Sequence, residues 1–252
     1  MEKIQDEVLF HEHKKRDLTG YTLIEGFPGM GLAGTIAAKY LSEKLDFELL
    51  GHIESGLFVP IIRVHNGYLV FPSRIYANEK HRLVIIISEQ IIPTFFTYKI
   101  AEAVVAWIKK KKIKSIISLS GIRAVPEGRN TVYGIASNLE SKRLLKKYNV
   151  EAIKEGVTSG ITALIMLKLK DARIDAISLM GNVELAADYK AAAVLLEKLN
   201  EILGLQIDVV PLEKEAKETE KALVKHLEEL KKAAEHDQRI EEKTVTGPQM
   251  YT

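Results

Sequence analysis

The chain contains no cysteine, which excludes disulfide bonds, thiol catalysis and thiolate metal ligands. This absence is typical of the reducing cytoplasm, and we expect the protein to be cytoplasmic. An excess of charge is lacking as well, since 36 lysines and arginines stand against 34 aspartates and glutamates. A formal charge of +2 gives no global field of the kind that general nucleic-acid binding needs, so no nucleic-acid partner is predicted.

Long apolar runs are also missing. The N-terminal stretch Met-Glu-Lys-Ile-Gln-Asp-Glu is charged where a signal peptide needs an apolar segment, and the apolar runs elsewhere are far shorter than a membrane span. What is present is the composition of an ordinary folded protein, with 46% hydrophobic and 28% charged residues in 252. We therefore expect no membrane partner, and one large α/β domain with or without an appendage.

Strand and helix patterns alternate through most of the chain. Residues 21–25 predict a strand that ends in a glycine-rich turn, and helical periodicity follows over 33–44. The apolar runs at 83–88 and 115–120 predict buried central strands, and Asn66-Gly67 predicts a two-residue hairpin turn. Other strands are expected at 48–53, 57–64, 131–133, 176–180 and 207–210, and other helices at 96–110, 138–148, 156–169 and 185–203. The pattern predicts a mixed central sheet with helices on both faces.

Beyond Pro211 the composition changes to mostly Glu, Lys and Ala. The change divides the chain into a globular domain over 1–211, a charged helix and linker over 212–243, and a mobile tail over 244–252. Leu223, Leu227 and Leu230 recur at heptad-like spacing. The charged helix could therefore pack on its own domain or on a neighbouring subunit.

The turn after the first central strand contains four glycines: Gly26, Gly29, Gly31 and Gly34. The last three satisfy the Gly-x-Gly-x-x-Gly dinucleotide fingerprint, and Glu54 lies where a ribose-binding acid is expected, about 20 residues further on. Pro28 within the turn and the hairpin that follows argue against this interpretation. We favour the interpretation that the glycines let the strand and the helix approach each other closely, and we predict no cofactor.

A polar loop over 121–130 follows a buried strand and contains Arg123, Glu127, Arg129 and Asn130. Open α/β sheets place ligand contacts at such positions, although the loop could equally be a protein interface. An enzyme that binds a nucleoside or a dinucleotide through this loop is the alternative hypothesis for the whole chain.

The His11-Glu12-His13 triplet has side chains that bind metals. Neighbouring side chains of a strand or helix point apart, however, and the spacing is not that of a zinc protease. We predict an exposed edge at this triplet and no metal site.

The sequence ends in Met250-Tyr251-Thr252. An apolar side chain, a phenol and a free carboxylate offer a receptor three different contacts, and the charged segment with Gly247-Pro248 would carry them on a tether. We predict that the tripeptide binds a partner.

Several motifs resemble those of the proteasome-assembly chaperone family. Ile-Glu-Gly-Phe-Pro-Gly-Met-Gly-Leu-Ala-Gly at 24–34 resembles the opening signature of that family, and further matches are Val-Pro-Glu-Gly-Arg at 125–129 and the segment 156–164. The resemblance covers roughly residues 18–210. It implies an α/β fold akin to nucleoside phosphorylases, an architectural glycine turn, and a protein without enzymatic activity that assists assembly of the proteasome core particle.

Some members of the family end in a hydrophobic-Tyr-any tripeptide that docks between α-ring subunits, and Met250, Tyr251 and Thr252 match it. The chain is most similar to the archaeal members, in particular to homologue B, whose tails engage the proteasome without ATP. The lack of a P-loop excludes the ATP-driven regulators that share this ending. The resemblance thus implies a homo-oligomer that acts as an assembly chaperone or as an activator. Four subunits are suggested only by the resemblance to homologue B. Assembly with a paralogous chaperone is a further alternative.

Overall fold

A computed structural model of the chain describes residues 7–123, 130–212 and 214. The strands are Val8–Glu12 (β1), Thr22–Gly26 (β2), Glu48–Ser55 (β3), Arg63–His65 (β4), Tyr68–Val70 (β5), Ser73–Asn78 (β6), Leu83–Ser88 (β7), Ser115–Ile122 (β8), Val132–Ala136 (β9), Glu151–Ala152 (β10) and Asp175–Asn182 (β11). The helices are Ala33–Lys44 (α1), Thr97–Lys110 (α2), Leu139–Lys147 (α3), Ile161–Asp171 (α4) and Tyr189–Leu203 (α5). Short 3₁₀ turns, Met30–Leu32 and Thr94–Phe96, precede α1 and α2.

Nine of these strands form one mixed sheet in the order β1-β3-β6-β7-β2-β8-β11-β9-β10. The four central strands, β7, β2, β8 and β11, run parallel to one another. Antiparallel pairing joins β1, β3, β6 and β7 on one side and β9 to β11 on the other. Among the described residues, β4 and β5 pair only with each other. The predicted mixed sheet is confirmed.

Helices cover both faces of the sheet, and each face has its own core. The helices α1 and α5 pack together on one face, and α2 and α4 pack together on the other. Because successive strand residues point to opposite faces, Ile85 belongs to the first core whereas Val84 and Ile86 belong to the second. Every residue of β7 is buried, as its uninterrupted apolar run predicts. The prediction of helices on both faces is confirmed.

Two of the predicted strands are wrong. In the segment predicted at 57–64, pairing begins only at Arg63, and Pro60 within it cannot donate a ladder hydrogen bond. In the segment predicted at 207–210, the side chain of Asn200 takes the place of a sheet partner. Its Nδ2 donates to Ile207 O at 2.9 Å, and its Oδ1 accepts from Ile207 N at 3.1 Å.

The chain is still folded at Pro211, the predicted last residue of the globular domain. A helix begins at Val210, and Leu212 is buried in the core of the α1 and α5 face. Proline suits the first turn of a helix, where its missing N–H has no intrahelical partner to lose. Apart from Leu212 and Lys214, the predicted charged helix and tail lie outside the described residues.

Local signals account for most remaining boundaries. The hairpin turn is confirmed, with positive φ angles of 49° at Asn66 and 79° at Gly67. The helix predicted at 156–169 begins only at Ile161, after Gly160 with φ of 89°. The helix predicted from 185 begins at Tyr189, because Asp188 caps it by accepting a hydrogen bond from Ala191 N. Among the described helices, none combines the length and the apolar character required to cross a bilayer.

Candidate functional site

The glycine turn brings the start of α1 into backbone contact with the sheet. A Cβ atom built on Gly34 would lie 2.0 Å from Leu119 O of β8, and one on Gly26 would lie 2.5 Å from Ala38 Cβ. Gly31 has φ of 61°, and its Cβ would lie 2.7 Å from a methyl carbon of Val183. At these three positions a side chain would separate the turn from its neighbours.

Gly29 differs from the other three glycines of the turn. Its φ of −144° is ordinary extended backbone, and the atom nearest to an added Cβ is Phe27 O at 4.0 Å. Close packing therefore does not explain this glycine. It lies instead at the rim of a cavity.

This cavity, of about 480 Å³, opens at the carboxyl ends of β2, β8 and β11. One wall is the glycine turn, and the opposite wall is the segment from Glu155 to the first turn of α4. Its lining combines apolar side chains with five hydroxyl groups, those of Ser120, Thr158, Ser159, Thr162 and Ser178. The carboxyl edge of a parallel sheet is where open α/β folds bind ligands.

Glu25 lies on β2, is fully buried, and contacts Thr162 of the cavity lining. Its carboxylate accepts hydrogen bonds from Phe27 N at 3.2 Å and from Thr162 Oγ1 at 3.1 Å. Burial raises the pKa of Glu25 to about 7, and the neighbouring groups of Ser118, Phe27 and Thr162 oppose the rise. Ser118 Oγ itself makes no well-formed hydrogen bond within the described residues. A carboxyl group at this strand end can therefore gain or lose a proton near neutral pH.

The predicted loop residues are only partly placed. Gly121 and Ile122 belong to β8 and line the cavity, so the loop begins two residues later than predicted. Arg123 follows directly and is exposed, and Asn130 is exposed at the other end. Glu127 and Arg129 lie outside the described residues, as does the terminal tripeptide of Met250, Tyr251 and Thr252.

Glu54 is not in the place that a ribose-binding acid would require. It lies on β3, and two strands, β6 and β7, separate β3 from β2 in the sheet. Its carboxylate contacts His11 Nε2 at 3.1 Å. A dinucleotide-binding unit instead places this acid next to the glycine turn. The sheet order thus favours the architectural interpretation of the glycines.

A second surface feature is the β4–β5 hairpin, whose apolar side chains are exposed: Ile62, Val64, Tyr68, Leu69 and Phe71. Tyr68 is 76% exposed and its neighbour Leu69 is 74% exposed. Because neighbouring side chains of a strand point to opposite faces, the described part of the chain leaves both faces of the hairpin uncovered at these two positions. Clustered apolar exposure of this kind marks protein interaction surfaces.

Sequence reasoning missed the role of Glu25 and of the exposed hairpin. The signal for Glu25 was present as a carboxylate inside the apolar strand Leu-Ile-Glu-Gly. The hairpin itself was predicted from Asn66-Gly67, but its exposure gave no separate signal, because its alternating apolar residues resemble those of a strand in the main sheet.

Comparison with known proteins was decisive for the family. The PAC2 family model matches residues 23–227. The chain belongs to the PAC2 family. An uncharacterized protein of Methanocaldococcus jannaschii is 33% identical over 219 residues, which cover 86% of this chain and 90% of that protein.

Two solved structures of Pyrococcus furiosus PAC2-like proteins are similar over nearly the whole fold. PbaA, an archaeal homolog of proteasome-assembly chaperone, has a TM-score of 0.81 at 29% identity, covering 90% of this chain and all of that one. PbaB, an archaeal proteasome activator, has a TM-score of 0.72 at 25% identity, covering 88% of this chain and 99% of that one. The predicted family is confirmed. Both the TM-score and the sequence identity are higher for PbaA than for PbaB, which is the homologue B of the sequence analysis.

The PAC2 match includes the glycine turn and both walls of the cavity, and it ends before the terminal tripeptide. The family assignment therefore rests on the folded domain, independently of Met250, Tyr251 and Thr252.

Proposed function

We propose that this PAC2 protein binds the proteasome core particle, as an assembly chaperone or an activator, and has no enzymatic activity. The observation that carries the proposal is the similarity to PbaA and PbaB over 90% and 88% of the chain. One of these relatives is a homolog of an assembly chaperone and the other a proteasome activator. The exposed apolar hairpin supports a protein partner, and we expect the protein to work in the cytoplasm.

The contact with the core particle is assigned to the terminal tripeptide, with Thr252 as the end of the chain. Tyr251 would occupy a pocket between two α-ring subunits, Met250 would contact its apolar wall, and the Thr252 carboxylate would pair with a lysine. The tripeptide offers the packing, hydrogen-bonding and charge contacts that such a pocket requires.

A single short tail binds weakly, so the proposal includes a homo-oligomer. Several tails on one body raise the effective concentration of each tail. The overall affinity then increases by a factor of ~10² to 10⁴, provided that the linkers let the tails reach their pockets together. The resemblance suggests a tetramer, and a mixed assembly with a paralogous chaperone would present tails in the same way.

No nucleotide is needed in this mechanism. The sequence contains no P-loop. Docking alone can favour an open α-ring gate, provided that the tails bind the open state more tightly than the closed state.

The test is a pull-down of archaeal core particle together with its peptidase rate, with the full chain and with a chain lacking residues 250–252. We expect truncation to remove binding and stimulation while the circular dichroism spectrum and the oligomer size stay unchanged.

The matched pair Tyr251→Ala and Gln249→Ala sharpens the result, since both change the same tail but only the first changes the tripeptide. Tyr251→Ala should weaken binding at least tenfold and Gln249→Ala should not. Equal binding by all variants would contradict the assignment of the tail.

A small-molecule site is the second candidate function, because a cavity of about 480 Å³, lined in part by Gly121 and Ile122, lies at the carboxyl ends of the parallel strands. A thermal-shift screen with nucleosides and dinucleotides tests it. A ligand at about 100 times its dissociation constant should stabilise the fold by ~2.7 kcal/mol. Stabilisation by one of these ligands, followed by its turnover, would favour the enzyme hypothesis over the proposal.

A further inference from the structure

The edge of the nine-stranded sheet at β1 carries a cluster of imidazole and carboxylate groups from β1 and β3. His11 lies directly opposite His52 in the antiparallel pair, and Glu54 follows His52 by two residues. Side chains two residues apart on a strand share a face, so the three groups project to the same side. One ligand atom of each lies within 4.8 Å of the other two. We propose that His11, His52 and Glu54 bind a divalent transition-metal ion of the Zn²⁺ type.

The distances suit such an ion. Metal–ligand bonds of about 2.0–2.1 Å in a tetrahedral site place the ligand atoms about 3.3 Å apart. His11 Nε2 and Glu54 Oε2 already lie 3.1 Å apart. No pair in the cluster exceeds 4.8 Å, so closing the site requires a movement of about 1.5 Å, which a side-chain rotation provides.

The ring of His52 is held by two further contacts. His52 Nδ1 lies 3.0 Å from His13 Nε2, and the ring of Phe71 stacks on it at 3.5 Å between centroids. Metal-binding histidines characteristically have their second ring nitrogen hydrogen-bonded, which fixes the tautomer and the ring orientation. His13 supplies that partner here, so a Nδ1–H that donates to His13 leaves Nε2 free to bind an ion.

The local charges are compatible with a cation. Arg74 of β6 pairs with His52 across the strands, and its guanidinium forms an ion pair with Glu89 at 3.1 Å. The Glu54 carboxylate supplies negative charge beside the two imidazoles. Two imidazoles and one carboxylate favour Zn²⁺ over Mg²⁺ or Ca²⁺, which prefer sites built from oxygen ligands.

This site differs from the one that the local triplet suggests. Glu12 points to the other face of β1, where its carboxylate accepts hydrogen bonds from Trp107 Nε1 at 3.3 Å and Lys111 Nζ at 2.6 Å. The proposal therefore departs from the expectation of no metal site: His11 is the one ligand from the triplet, and His52 and Glu54 come from β3. An ion bound to both strands would fasten the edge strand β1 to the sheet.

The direct test is isothermal titration of the untagged full chain with ZnCl₂, with MgCl₂ as the comparison ion. We expect one Zn²⁺ per chain with micromolar affinity, and no measurable binding of Mg²⁺. Hydrogen exchange should report the same event, with amides of residues 8–12 exchanging several-fold more slowly in Zn²⁺.

Variants connect the binding to this cluster. His11→Ala and Glu54→Gln replace side chains that are 43% and 52% exposed, so the fold should tolerate both, and each should weaken Zn²⁺ binding at least tenfold. His81→Ala changes a histidine outside the cluster and should bind like the parent chain. An absence of binding to the parent chain, or equal affinity in all variants, would overturn the proposal.

Discussion

At the scale of single residues, Glu25 is the most unusual group in the described structure. It is fully buried in a parallel strand, and its hydrogen-bond donors are Phe27 N and the hydroxyl of Thr162. Desolvation disfavours a buried charge, and no ion pair to this carboxylate forms within the described residues. Glu25 should therefore make stability depend on pH.

The sign of this dependence follows from the two pKa values. The pKa of Glu25 is about 7 in the folded state, against 4.5 for an ordinary glutamate. Between these values the folded chain binds the additional proton, so the contribution of Glu25 to stability is largest below pH 4.5 and is lost as the pH rises through 7. The full loss amounts to about 3 kcal/mol at 1.36 kcal/mol for each pKa unit.

Glu25→Gln keeps the size of the side chain and an oxygen that can accept both hydrogen bonds, while it removes the charge. We expect the variant to be more stable than the parent chain at pH 8 by up to about 3 kcal/mol, and nearly equal at pH 4. Urea unfolding at the two pH values measures both differences. Parallel profiles for the two proteins would show that Glu25 does not titrate in this range.

At the scale of elements, the glycine turn determines how closely α1 approaches the sheet. Gly29 precedes the 3₁₀ turn, and Gly34 lies in the first turn of α1. A Cβ atom added to Gly34 would lie 2.0 Å from Leu119 O, whereas one added to Gly29 would lie 4.0 Å from the nearest atom. A methyl group at Gly34 must displace α1 from β8, whereas the same group at Gly29 enters open space.

Gly34→Ala should therefore destabilise the fold by at least about 3 kcal/mol, and Gly29→Ala should change stability by less than about 1 kcal/mol. Denaturant unfolding of the two variants compares the same chemical change at two positions. Similar losses in both would mean that the turn itself, rather than contact with β8, requires glycine.

The elements also show what the sequence could and could not predict. Local signals sufficed where one residue type determines the backbone, as at Asn66-Gly67, or where an apolar run is buried on both faces, as in β7. They failed for the strand predicted at 207–210, where the backbone N–H and C=O of Ile207 pair with the side chain of Asn200. They also failed for β1, because a short edge strand that carries charged and histidine residues has no apolar alternation.

The candidate sites were harder to predict than the fold, because each joins segments that are distant in the sequence. Glu25 meets Thr162 across 137 positions, and His13 meets His52 across 39. Only the topology of the sheet brings these groups together, and no spacing in the sequence encodes that.

At the scale of the whole molecule, the proposed function requires several copies of the tail on one body. The β4–β5 hairpin is the apolar surface best suited to join those copies. It stands outside the nine-stranded sheet, and Tyr68 and Leu69 expose opposite faces of it at 76% and 74%. We expect a second copy of the chain to cover this hairpin, since removing exposed apolar surface from water is a main driving force of association.

Leu69→Lys places a charge on this surface without touching either core, so the isolated chain should keep its fold and lose its partner copies. Light scattering after size-exclusion chromatography should show a smaller particle. Affinity for the core particle should fall by the multivalent factor of ~10² or more, although the tail is intact.

Leu185→Lys is the matched control, because Leu185 is also exposed, at 61%, but lies outside the hairpin, just before α5. An unchanged particle size in Leu69→Lys would place the subunit interface elsewhere, whereas a smaller particle with unchanged affinity would show that one tail is enough.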